Sequence, residues 1–352
     1  MNVPIQQGVA TGSPLESGRA PLVVVQQVPA RRRWRTWLLL LVLVISVIFN
    51  FVLYSAYHTY LGTGDGVNER FYSGDLATSD KIALIYVEGT ISPPFTGHIM
   101  KAIDQARTDD HVKGVVLVVD SPGGLVADSH EIYHELRKLS QDHHKPIYVS
   151  MRRLAASGGY YVSMGAGPEG LIFAEPTTWS GSIGVIIPHY DISGLAKQIG
   201  VKEDSPKTGE FKDTLSIFRP VSAAEKELWK PILDDSLDRF VKVIADSRKM
   251  LTVKEIRELA TGQIFTSNQA KEKKLIDKIG YLDDAIEALK TKLQLSHVRV
   301  VKYESSQNLL ETLLSSRTSV SQQSQLGALL ESAVPRAYYL FSTAPGLGTA
   351  AR

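Results

Sequence analysis

The 352-residue chain contains no cysteine. Disulfides, thiol nucleophiles and cysteine zinc sites are therefore excluded together, and the absence suits an extracytoplasmic location. Charge of either sign is not in excess: 39 Lys+Arg face 37 Asp+Glu, for a net charge of +2. Such a chain has no global positive field with which to grip nucleic acid, and no nucleic-acid partner is expected. Residues 1–30 lack Phe, Trp and Tyr and are rich in Gln, Gly, Pro and Ser. A segment of that composition cannot bury enough apolar surface to offset ordering, so 1–35 reads as a disordered, basic-ended tail.

The next segment is the opposite in character. Arg31, Arg32, Arg33 and Arg35 stand directly before an uncharged apolar run from about Trp37 to Tyr57. About 20 such residues cross a bilayer. Trp34, Trp37, Tyr54 and Tyr57 lie near the two ends of the run, where aromatic rings favour the headgroup region. A cleaved signal peptide would carry its apolar core nearer the start and an Ala-x-Ala-like site after it, and neither is present. We expect a membrane anchor over 36–57, in contact with lipid. Arginines on the preceding side predict a cytoplasmic N-terminus and an extracytoplasmic remainder, as for a single-pass protein of the cytoplasmic membrane.

Beyond an expected linker at 58–79, strand-like and helix-like patterns alternate. The segments "KIALIYVEGTI" (81–91), "VKGVVLVVDS" (112–121) and "KPIYVSM" (145–151) are β-branched runs bounded by turn formers, and "GLIFAEP" and "SIGVII" look similar. Ser222 with Glu225 predicts a capped helix to about Lys249, kinked or interrupted at Pro231. Thr252 with Glu255 predicts a second helix ending near Gly262. This alternation favours an α/β domain with a largely parallel sheet over 80–304. From about Ser305 the composition turns to Ser, Gln and Leu without a period, and 305–352 is expected to be a partly ordered tail.

Two segments offer chemistry. "HEIYH" (130–134) matches H-E-x-x-H, which on a helix sets two histidines one turn apart for zinc, with Glu131 as general base. Helical geometry places Ile132, Leu136 and Leu139 on one side and His130 and His134 almost opposite, facing away from the core, and spacing suggests no third ligand. The second segment is "RRLAASGGYYVSMGA" (152–166), where Ser157 is surrounded by small residues just beyond a predicted strand and near a helix start. A serine there is either a close helix–sheet contact or a nucleophile, since the unpaired N–H groups of a helix tip favour developing negative charge. "DSPGG" (120–124) ends another predicted strand with two glycines whose amides a ligand can approach closely.

A serine hydroxyl needs a base to take its proton. Only His189 and His297 lie downstream, which gives little support to a Ser…Asp…His order. The alternative is a lysine, Lys207 or Lys212, in "PKTGEFKDTLS" (206–216). An ordinary lysine with pKa near 10.4 is neutral at pH 7 only about four times in ten thousand, and desolvation to a pKa of about 8 raises that to roughly a tenth.

Five stretches, "VVDSPGG", "AASGGYY", "AEPTTWSGSIGVI", "KTGEFKD" and "GQIFTSNQAKEKKLIDKIGYLDDAI", stand in the order and spacing of the signal peptide peptidase A family, the S49 serine peptidases. The chain resembles the short, single-copy form of that family over about residues 80–290. The resemblance implies a crotonase-like, ClpP-like α/β fold with parallel sheet and flanking helices, behind one transmembrane helix. It implies Ser157 as nucleophile, Lys212 as general base, Ser182 orienting that lysine, and the Gly124 and Gly158 amides as oxyanion hole, with neither metal nor cofactor. It further implies apolar peptides such as spent signal peptides as substrates, and a homo-oligomer in which serine and lysine of one site come from adjacent subunits. Three other readings stay open: a zinc peptidase built on "HEIYH", an acyl-CoA enzyme of crotonase type, and a catalytically silent membrane scaffold.

Overall fold

Residues 34–60, 67–304 and 337–340 are described by the computed structural model, and the chain divides into two units, Met1–Leu61 and Gly62–Arg352. In the first unit the uncharged run forms helix α1 (Trp34–Tyr60). Its 27 residues extend about 40 Å at 1.5 Å each. The stretch Trp37–Tyr54 has a mean hydropathy of 2.6, with its side chains exposed, so the helix is long and apolar enough to cross a membrane. The expected anchor falls within α1, whereas the expected tail before Trp34 lies outside the described residues.

The second unit is built on one mixed sheet. Its strands are β1 (Asn68–Gly74), β2 (Lys81–Ile91), β3 (Val112–Leu125), β4 (Ile147–Ala156), β5 (Ile172–Ala174), β6 (Trp179–Gly181), β7 (Ile264–Thr266), β8 (Lys278–Ile279), β9 (Arg299–Glu304) and β10 (Tyr338–Leu340). Its helices are α2 (Phe95–Thr108), α3 (Val126–Gln141), α4 (Gly158–Ser163), α5 (Ser193–Gln198), α6 (Ala223–Ser247), α7 (Val253–Leu259), α8 (Ser267–Glu272) and α9 (Leu282–Lys292). The main path of the sheet is β1-β9-β2-β3-β4-β5-β8. From β9 to β8 every neighbouring pair is parallel, with β1 antiparallel on the edge. The expected α/β class with a largely parallel sheet is the observed one.

The sequence forms this sheet because its central strands are apolar on both faces, as a strand covered on both sides must be. Ala83, Ile85, Val87, Val115, Leu117 and Val119 point to one layer, where Ile103, Ile132, Leu136, Phe240 and Ile244 of α2, α3 and α6 meet them. Ile82, Leu84, Val116 and Val118 point the other way, onto Ile286 and Leu289 of α9. The carboxyl ends of β3 and β4 are thereby brought side by side, with Ser121 opposite Ala155.

Four expectations need correction or completion. The segment expected to be a linker contains β1, a polar edge strand that shows no apolar alternation because its pairing comes from β9 alone. "SIGVII" is not a strand. Ser182 turns the chain at φ 51°, the strand lies just before it as β6, and Ile186 makes only an isolated bridge to Tyr338. The helix capped by Ser222 runs unbroken to Ser247 through Pro231, which sits on the exposed side where the forgone N–H bond costs no buried group. Finally, Ala337–Leu340 of the expected C-terminal tail is ordered as part of the sheet, and the rest of 305–352 lies outside the described residues.

One buried ion pair ties the last turn of the long helix to the sheet. Arg248, 2% exposed, gives two 2.8 Å bonds to Asp277 and a third to the Lys274 carbonyl, while Asp277 accepts the Ile172 amide of β5. Removing one partner leaves the other charge buried. We expect Arg248→Met to lower the unfolding free energy by about 3–5 kcal/mol, read from denaturant unfolding of the chain in detergent.

Candidate active site

The site begins where β4 gives way to α4. Ser157 occupies the N-cap of α4 with φ 54° and ψ −116°. A non-glycine residue in that region stores on the order of 1–3 kcal/mol and persists only where its surroundings over-determine it. Here they do. The Ser157 amide donates to the Gly181 carbonyl at 2.8 Å, and its own carbonyl accepts the Tyr161 amide at 2.8 Å. Behind it, β4 and β6 are locked in register, Ala155 opposite Ser180 and Ala156 opposite Gly181, with the Ser180 hydroxyl donating to the Ala155 carbonyl.

The surrounding small residues have a physical cause. A Cβ on Gly158 would stand 2.6 Å from Ser129 Oγ and 3.0 Å from the Gly124 amide nitrogen; one on Gly123, at φ 97°, would stand 2.0 Å from the Tyr339 carbonyl oxygen and 2.5 Å from the Gly158 nitrogen. The start of α4 and the end of β3 therefore meet backbone to backbone. The turn at β3 is fixed by Ser121, whose hydroxyl accepts the Gly123 amide and donates to the Gly89 carbonyl. This is the arrangement in which the Gly124 and Gly158 amides lie near one serine.

Ser182 stands one residue beyond Gly181, as Ser157 stands one beyond Ala156, so the two serines leave paired strands side by side. Ser182 also has a left-handed backbone, φ 51°, held by its amide bonding to the Gln263 carbonyl at 2.7 Å. Both serines are buried, and among the described residues neither hydroxyl has a hydrogen-bond partner.

Lys212 is joined to neither serine by a hydrogen bond among the described residues. It lies on the long exposed loop before α6, its amide closing a turn to the Gly209 carbonyl, and no hydrogen bond or ion pair engages its Nζ among the described residues. Lys207 is occupied by Asp213 at 2.7 Å. Of the downstream histidines, His189 bonds the Ser216 carbonyl and His297 pairs with Asp75 at 3.0 Å, so neither serves Ser157 within the chain. The fold thus brings Ser157, Ser182, Gly124 and Gly158 together, and among the described residues no hydrogen bond joins Lys212 to any of them.

A feature that sequence reasoning missed lies against the glycines. β10 pairs antiparallel with β3, Tyr339 opposite Gly124 and Leu340 opposite Gly123, and on its other side Tyr338 exchanges two hydrogen bonds with Ile186. Tyr339 is fully buried, stacked on Tyr161 at 4.9 Å and against Phe240 at 4.7 Å, with its hydroxyl donating to the Ser236 carbonyl. The available signal was "AYYLF", an aromatic cluster in an otherwise Ser/Gln/Leu-rich tail.

The "HEIYH" segment lies on α3 beside this cluster. His134 and Glu131 are exposed, but His130 is not turned fully away from the core as helical projection suggested: its Nδ1 lies 2.7 Å from the Tyr161 hydroxyl. Desolvation, with help from Arg239 and His134, pushes its pKa below the ordinary imidazole value. Burial raises the Tyr161 phenol pKa and keeps it protonated, so a neutral hydroxyl and a neutral imidazole share this hydrogen bond. Among the described residues no three His, Asp or Glu side chains gather in a way that could hold a metal.

A sequence model described as peptidase family S49 matches residues 140–296. A protein of Enterococcus faecium provisionally named signal peptide peptidase SppA is 34% identical over 299 residues, covering 78% of this chain and 85% of that one. The chloroplastic serine protease SPPA of Arabidopsis thaliana is 32% identical over 225 residues, 60% of this chain and 32% of that one. Among solved structures, a ClpP1 mutant from Listeria monocytogenes is similar at a TM-score of 0.40 and 16% identity, covering 58% of this chain and 94% of that chain.

Two measurements check this geometry. Because His130 has a lowered folded pKa, its contribution is fully present above the ordinary value of 6.5 and is lost as pH falls through it toward the folded value. Thermal stability should decline below about pH 6.5, and His130→Gln should flatten that decline. Gly158→Ala, which forces the α4 tip away from β3, should leave the far-ultraviolet spectrum unchanged while lowering peptide cleavage on the order of 10²-fold.

Proposed function

Because the chain belongs to peptidase family S49 and is a serine peptidase, we propose that Ser157 attacks the scissile carbonyl and that Lys212, supplied by a neighbouring copy, is its general base. The observation that carries this reading is the strained backbone of Ser157 at the tip of α4, opposed by the glycines of β3. In the reaction the neutral amine of Lys212 takes the Ser157 Oγ proton as the oxygen bonds to the peptide carbon. The oxyanion so formed lies against the Gly158 and Gly124 amides, where donors already fixed in place cost no reorganisation. The protonated lysine returns its proton to the departing amine, leaving an acyl-enzyme. Water then attacks the ester, its proton passing through the same lysine, and Ser157 is restored. Ser182, beside Ser157 with an unengaged hydroxyl, orients the incoming amine.

Two features support assembly from several copies. Lys212 has no partner in its own chain among the described residues, and the arm from 186 to 232 exposes large apolar side chains, including Ile186, Leu195, Ile199, Phe211 and Ile232. Exposed apolar surface on this scale marks a contact face, and a head-to-tail contact would bring one copy's loop to the next copy's serine. The substrates in this reading are apolar peptides, spent signal peptides among them, reached at the surface of the membrane that α1 crosses, with the catalytic unit on the extracytoplasmic side. The slot between Gly123–Leu125 and Ile186 accepts an extended backbone, since Ala337–Leu340 lies in it, and Tyr161 with Phe240 lines it with apolar surface.

The experiment is cleavage of a fluorogenic apolar peptide by the chain in detergent. Ser157→Ala and Lys212→Ala should each abolish turnover, and EDTA should leave it unchanged, whereas a zinc peptidase would show the reverse pattern. Co-assembling the two inactive variants in equal amounts should restore about a quarter of the wild-type rate if the two residues come from different copies; no recovery would place them in the same chain. A chain ending at residue 336 should show a higher kcat/KM, because a peptide no longer competes with β10 for the slot.

A further inference from the structure

The loop carrying Lys212 has almost no core of its own: residues 201–212 are exposed throughout. An exposed loop of this length does not hold a side chain in one place unless something ties it, and here the ties converge on one guanidinium. Arg219 donates from Nη1 to Glu225 Oε2 at 2.7 Å and from Nη2 to Glu225 Oε1 at 2.8 Å. The same Nη2 reaches both the carbonyl and the Oδ1 of Asp213 at 3.0 Å. Asp213 is the residue immediately after Lys212, and its other carboxylate oxygen takes Lys207.

Glu225 is anchored in turn. It is 2% exposed and forms the capping box of α6, its carboxylate accepting the Ser222 amide at 2.8 Å. Bidentate pairing with Arg219, foremost, holds its pKa well below the carboxylate range despite burial. Two further tethers flank the lysine's side of the loop: Trp229 Nε1 of α6 donates to Thr214 Oγ1 at 2.9 Å, and His189 bonds the Ser216 carbonyl. Between them Leu215 is held at φ 62°, a conformation a bulky side chain keeps only under constraint.

We propose that Arg219 is a positioning residue for peptide cleavage: by clamping Asp213 to the first turn of α6 it fixes the direction in which Lys212 is presented to the serine it serves. This rests on Lys212 being the base. A brace that served only stability would not need to end on the residue next to Lys212. The clamp also requires a planar fork that meets two carboxylates and a carbonyl at once, so a lysine cannot replace it.

The test uses the full chain in detergent. Arg219→Met and Arg219→Lys should each lower kcat on the order of 10- to 100-fold with KM within about twofold, as expected for a misplaced base rather than a lost binding contact. In the same proteins the amides of Lys212–Ser216 should exchange hydrogen faster while those of β3 and β4 keep their protection. Lys249→Met, which breaks an exposed ion pair with Asp246 at the far end of α6, is the control and should leave kcat unchanged. Full kcat in Arg219→Met, with Lys212→Met inactive, overturns the positioning role and leaves the base intact. Activity in Lys212→Met removes the base itself, whatever Arg219 does. Should Arg219→Met fail to fold, Thr214→Val and Glu225→Gln each release one tether, and unchanged kcat in both overturns the proposal.

Discussion

The left-handed backbone of Ser157 is the constraint on which the rest of the site depends. A serine adopts it only because three separate elements hold it: β6 through the Gly181 carbonyl, α4 through its first intrahelical bond, and β4 through its register with β6. That conformation places Ser157 at the tip of α4 and sets the helix start against the end of β3. The contact is too close for side chains, which is why small residues surround the serine on both segments. Close packing and chemical access are here one requirement. A backbone-to-backbone contact brings amide nitrogens together, and amide nitrogens near a serine are what an oxyanion needs.

The parallel sheet supplies the rigidity behind this junction. Its central strands are buried on both faces and carry few polar groups that could pull the register elsewhere. The carboxyl ends of β3 and β4 are fixed side by side, and Ser157 stands where the chain leaves β4. By contrast, the loop with Lys212 has no such backing and is ordered by charge-assisted hydrogen bonds to α6. The proposed nucleophile and base therefore rest on different kinds of support. The first is held by packing; the second lies on an exposed loop held by a polar clamp.

The strand β10 fits the same logic. The edge of β3 beyond Ser121 is where β4 departs, leaving unpaired backbone groups next to the glycines. Such an edge invites an extended segment, and in this chain Ala337–Leu340 takes it, with Tyr339 as its apolar anchor between Tyr161 and Phe240. What makes the slot attractive to the chain's own tail is what would make it attractive to an apolar peptide: main-chain pairing in register, and one pocket for one side chain.

Much of this was legible in the residues alone. The apolar runs gave β2, β3 and β4; two capping boxes gave α6 and α7; the small-residue segment gave the position of Ser157 at a helix start. These are local properties, fixed by periodicity, capping and backbone sterics within a few neighbours along the chain. What local pattern could not supply was decided by partners distant in sequence. β1 is a strand only because β9 is beside it, "SIGVII" is not one because Ser182 turns away, and His130 is drawn inward by Tyr161, 31 residues on. The placing of Ser157 beside Ser182 is likewise a tertiary fact, since two motifs in the expected order say nothing about whether one chain can bring them together. The sequence determined which residues carry hydroxyl, amine and bare amide; the fold decided which of them meet, because only packing between distant segments sets the distances on which proton transfer depends.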